Sequence, residues 1–74
     1  MLLCIVKDSN VAVRLKRLIR QVFPYLSHKV SVDFEKNGVE FHLLDPLPDL
    51  QLGLVTGLCI GFCTGIEAEI AFDV

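Results

Sequence analysis

Cys59 and Cys63, four residues apart, are half of a metal-binding pattern, with His28 and His42 as the available further ligands. A structural zinc site needs four ligands in two close pairs, and the second pair is missing. On a strand the two cysteines would share a face about 13 Å apart, too far for one ion. On a helix they would be neighbours. The pattern therefore stands or falls with the local fold, and thiols packed as small apolar side chains are the simpler expectation. Neither a metal nor a cofactor is expected.

His42, in a stretch with Asp33, Glu35 and Glu40, is the one acid–base grouping of the sequence. Neighbouring carboxylates favour the imidazolium form, and an imidazole in such a setting can sense pH. A surface cross-strand pair contributing a fraction of a kcal/mol is the plainer reading. Ser9, Ser27 and Ser31 are the candidate nucleophiles, and none has a base within expected reach. Gly53, Gly57, Gly61 and Gly65 do not form a phosphate loop, because no Lys-Ser or Lys-Thr follows them. No catalytic residue emerges, and an enzyme is not expected.

Arg14, Lys16, Arg17 and Arg20 are the strongest functional candidates. Cations on one helix face can neutralise phosphates, with salt-dependent affinity. A solvated helix face has the same composition without any partner. The net charge of −2 and the lack of an aromatic stacking platform weigh against strong nucleic-acid binding.

The elements that must position these groups are legible in part. Leu2 to Val6 is an apolar run of strand length, the pattern of a central strand buried on both faces. Asp8-Ser9-Asn10 supplies helix-capping chemistry. Val11, Leu15, Leu18, Ile19 and Val22 then recur as a helical stripe, with the four cations on its other side. Pro24 ends that helix. Val30 to Leu44 is a hairpin with Asn37-Gly38 as a type I′ turn. That register pairs Phe34 with Phe41 and Val32 with Leu43, and sets Asp33 opposite His42 and Glu35 opposite Glu40. Asp45 to Asp49 is a stiff break, since Pro46 and Pro48 restrict the residues before them. Ile66 to Val74 alternates as a strand with an acidic face.

Leu50 to Ile66 carries no charge and has glycine at every fourth position. A transmembrane helix would need about 20 apolar residues and better flanks than Asp49 and Glu67. A soluble helix would complete a β-α-β-β-α-β, ferredoxin-like order, but three interior glycines cost about 1 kcal/mol each. The run also divides into two near-identical eights, each ending in Thr-Gly, which reads as two strands with matched three-residue turns. The two-strand reading is preferred. It gives an α+β fold of order β-α-β-β-β-β-β, one amphipathic helix packed on a mainly antiparallel sheet, with the ferredoxin-like order as the alternative.

Charge is divided along the chain. Up to Lys36 there are seven cations against three acids, a net of +4; from Asn37 onward there are six acids and no Lys or Arg. In the preferred fold this becomes a basic helix face and an acidic sheet face holding Asp33, Glu35, Glu40, His42, Glu67, Glu69 and Asp73. The 53% apolar content gives a 74-residue single domain enough material for a core. Three cysteines in apolar contexts suit a reducing, cytoplasmic setting, and no signal peptide is expected. The expected function is a small non-enzymatic protein–protein interaction module, regulatory or inhibitory, using a charged face. A phage or mobile-element origin fits that class by analogy. The alternative is a nucleic-acid binder using the Arg14–Arg20 helix. Self-association is compatible with either, and no membrane partner is expected.

Overall fold

The computed structural model describes residues 1–72. Its elements are β1 (Leu2–Val6), α1 (Ser9–Val22), β2 (Val30–Glu35), β3 (Gly38–Leu43), α2 (Asp49–Gly65) and β4 (Ile70–Ala71), with a 3₁₀ turn at Pro24–Leu26. The strands form one antiparallel sheet in the order β2-β3-β1-β4, so β3 lies between β1 and β2. The fold is α+β, and its order is β-α-β-β-α-β, the ferredoxin-like alternative.

α1 forms as its stripe predicts. Asp8 caps it, its carboxylate accepting from the N–H groups of Asn10 at 2.8 Å and Val11 at 3.3 Å. Ala12, Leu15 and Ile19 are buried, and Pro24 begins the 3₁₀ turn just past its end. β1 is central in the sheet, as its apolar run suggests, but it is not buried on both faces: Leu2 and Ile5 are only half-buried.

The two-strand reading of Leu50–Gly65 is corrected: the segment is one helix. The physical reason is coverage. Six strands spaced about 4.8 Å apart would span about 24 Å, while one helix shields about 10 Å. Four strands span about 14 Å, which two helices can cover. Val55, Cys59 and Cys63 then join Ala12, Leu15 and Ile19 of α1 and Cys4, Val6, Val39, Phe41 and Leu43 of the sheet in one core. That burial outweighs the helix-propensity cost of the glycines.

The hairpin also differs from its expected register. Phe34 pairs with Val39, Val32 with Phe41, Asp33 with Glu40 and Ser31 with His42. The connecting residues are Lys36-Asn37, and only Gly38 has a positive φ, 138°. A type I′ turn needs two such residues, so it is excluded. Gly38 instead opens β3, where a side chain would lie 3.0 Å from the Val6 carbonyl oxygen and from Ile5 Cγ2. The shift is two positions, so every side chain keeps its expected face.

The final strand is shorter than its alternation suggests. α2 continues to Gly65, and Ile66-Glu67 form a turn. Glu67 has φ 56°; its N–H donates to the Thr64 carbonyl at 3.2 Å, and the Ala68 N–H donates to Cys63 at 2.8 Å. This is a Schellman cap with glutamate in the left-handed position. Strand pairing begins only at Ile70.

Candidate interaction surfaces

The helical layer presents two unlike strips. On α1, Arg14, Lys16, Arg17 and Arg20 are all exposed. The Arg14 guanidinium lies 5.5 Å from the centre of the Phe62 ring, so the basic strip abuts α2 directly. Lys16 and Arg20 lie on the opposite flank, beside Leu26 and Val30 in a small cleft of about 80 Å³. Both ion pairs among the described residues involve His42, and neither involves these four cations.

The solvent side of α2 carries no charge between its ends. At 100° per residue, Leu50, Gly53, Leu54, Gly57, Ile60, Gly61, Thr64 and Gly65 occupy the sector opposite Val55, Cys59 and Cys63. All eight are exposed. An outer helix face on a two-layer fold is ordinarily polar.

The uncovered face of the sheet carries four of the expected acid–base residues. His42 Nε2 is 2.9 Å from Glu40 Oε1 and 3.7 Å from Asp33 Oδ2, and Glu35 lies further along β2. Glu67 and Glu69 do not belong to this cluster. Glu67 sits in the cap of α2, and Glu69 precedes β4, its carbonyl accepting from the Lys7 N–H at 3.5 Å. Asp73 lies outside the described residues. A shallow concavity of about 290 Å³ at the hairpin end is bordered by Lys7, Lys36, Glu35 and Glu40, whose charges offset one another.

Chemically the acid–base cluster is plain. The register places Ser31 opposite His42, a neighbour the expected pairing did not provide, but no hydrogen bond joins them. His42 spends Nε2 on Glu40, and an unactivated serine is a weak nucleophile.

The three cysteines, distant in sequence, converge. Cys4 on β1 meets Cys59 and Cys63 on successive turns of α2, and all three are fully buried and unpaired. The hydrogen bond shared with Cys59, then burial, holds the Cys4 thiol far above its ordinary range. That same bond draws Cys59 down against the opposing effect of burial, and burial raises Cys63. Among the described residues no three His, Cys, Asp or Glu side chains are placed to hold a metal ion. The helical spacing that would have favoured a metal pair is present, and the thiols serve as core.

Sequence reasoning singled out both charged faces and missed the exposed apolar side of α2. The four-residue glycine period was its signal. No known protein family matches the chain, nor does any curated protein or solved structure. Among the described residues no helix is long and apolar enough to cross a membrane.

Proposed function

We propose that this chain is a small non-enzymatic interaction module, regulatory or inhibitory, that binds another protein through the basic side of α1. One observation carries the reading. Arg14, Lys16, Arg17 and Arg20 stand exposed with no carboxylate within 4 Å among the described residues, while acids gather on the opposite, sheet side. Such segregation gives a surface potential that steers and orients an acidic partner. Cytoplasmic action fits three unpaired, buried cysteines. Affinity capture from the native host tests the reading. A partner held by the wild type and by Asp33→Lys/Glu40→Lys, but lost with Arg17→Glu/Arg20→Glu, supports it. Capture that survives the arginine reversals contradicts it.

The same unpaired cations favour a second reading, nucleic-acid binding. Against it, the uncovered sheet face offers no aromatic platform among the described residues: Phe34 and Phe41 fall on the helix side. Fluorescence anisotropy with single-stranded RNA and duplex DNA separates the two. A nucleic-acid binder loses affinity steeply with salt, and Arg17→Glu/Arg20→Glu abolishes binding and its salt slope.

A further inference from the structure

β2 is an open edge of the sheet, since β3 is its sole neighbour among the described residues. The ladder between them reaches Lys29, whose carbonyl accepts from the Leu44 N–H at 2.8 Å. Bonding alternates along an antiparallel strand, so Lys29, Ser31, Asp33 and Glu35 direct their main-chain groups to β3. Val30, Val32 and Phe34 direct theirs outward. The strand holds neither proline nor bulge, the usual guards of an edge. Phe34, on the helix side of this edge, is 63% exposed.

We propose that β2 pairs antiparallel with β2 of a second copy across a two-fold axis, continuing the sheet from one chain into the next. The strand is self-complementary in one register, centred on Val32. There Val32 faces Val32, and Val30 faces Phe34 of the second copy. Every outward main-chain group of both strands is then paired, and the apolar side chains meet on the helix side. On the open face Ser31 faces Asp33, and Lys29 faces Glu35. Lys29 and Glu35 are exposed, and neither belongs to an ion pair among the described residues of the monomer. A register centred on Asp33 would set the two Asp33 carboxylates together and place Val30 against Lys36 in the hairpin turn. One centred on Ser31 would place Phe34 against His28, in the turn before the strand. Either leaves outward groups unpaired. The cations of α1 stay apart in the favoured register. Lys16 and Arg20 border Val30, and the two Val30 residues lie about 14 Å apart along the strands, beyond the Debye length of about 8 Å. The two Asp33 side chains pass diagonally at about 7–8 Å, each with its own His42 Nε2 at 3.7 Å. Main-chain bonds carry the affinity and the side chains set the register. One strand from each copy is a small interface, so the dimer exchanges with monomer and gains population as the chain is concentrated. The inference does not depend on the function proposed for α1.

Sedimentation equilibrium on the purified chain, at low ionic strength and up to its solubility limit, tests the proposal. The wild type forms dimers. Val32→Pro removes an outward N–H at the two-fold axis and weakens association at least about tenfold. That N–H faces solvent in the monomer, where an edge strand tolerates proline, so circular dichroism retains the native signal. Lys29→Glu and Glu35→Lys each set like charges opposite one another at both ends of the paired strands and weaken association several-fold. Both positions are exposed, so these variants fold whatever the proline variant does. The double variant Lys29→Glu/Glu35→Lys exchanges the charges on both copies and restores association to near wild type. A wild type that stays monomeric at its solubility limit overturns the proposal. So does a dimer that Val32→Pro leaves intact, or one indifferent to the single charge reversals.

Discussion

Arg14 lies with its guanidinium 5.5 Å from the centre of the Phe62 ring, joining the basic helix to the apolar one. Arg14 is exposed, so the cation–π contact contributes on the order of 0.5–1 kcal/mol. Arg14→Ala lowers the urea-unfolding free energy by about that amount, and Arg14→Lys retains part of it. Phe62→Ala costs more, about 2–3 kcal/mol, because the ring also packs against the core.

Left-handed backbone and glycine are mismatched along this chain, and substitution exposes the mismatch. Glu67 occupies the left-handed cap of α2 at φ 56°. Glu67→Gly removes that strain and raises stability by about 1 kcal/mol. Gly57→Ala and Gly61→Ala, on an open helix face, each raise it by about 0.5–1 kcal/mol. Gly38→Ala behaves oppositely: at φ 138° and 3.0 Å from the Val6 carbonyl oxygen it costs at least 1–3 kcal/mol. Thermal melts of the four variants, three rising and one falling, check the assignment.

The buried thiols predict a chemical and an alkaline signature. Cys4, Cys59 and Cys63 are closed to solvent, so iodoacetamide labels them only as fast as the fold opens, and urea releases all three. Cys4 and Cys63 have folded-state pKa values raised above the unfolded thiol range of about 8.5. Their contribution is therefore complete below that range. It is lost as pH rises beyond it, where the unfolded state releases protons that the folded state keeps. Through Cys4 and Cys63, stability falls as pH rises above about 8.5. Cys59, drawn down by its bond to Cys4, opposes that fall, and Cys63→Ala flattens it.

α1 was legible because its information is local: Asp8 to cap, an apolar stripe from Val11 to Val22, Pro24 to stop. The hairpin faces were legible for the same reason, since alternation survives a two-residue shift of register. The turn itself was not. Asn37-Gly38 suggested a type I′ loop, but the close passage of β1 beneath Gly38 sets where β3 begins. α2 was misread because its internal eightfold repeat satisfies a hairpin and a helix equally well. What decides between them is the width of the sheet to be covered, which no local window contains. The charged residues of the candidate site followed the elements. Asp33, Glu35, Glu40 and His42 stayed together because the faces of the hairpin survive its shift of register, whereas Glu67 and Glu69 moved with the end of α2.

The central claim is that the basic side of α1 meets another protein. A photo-crosslinking side chain at Val13, exposed among the four cations, tests it against the same group at Asp33 on the acidic face. In the native host, irradiation of the Val13 variant yields a defined protein adduct, which Arg17→Glu/Arg20→Glu removes, while the Asp33 variant yields none. Adducts from Asp33 alone, or from Val13 irrespective of the arginines, would contradict the account.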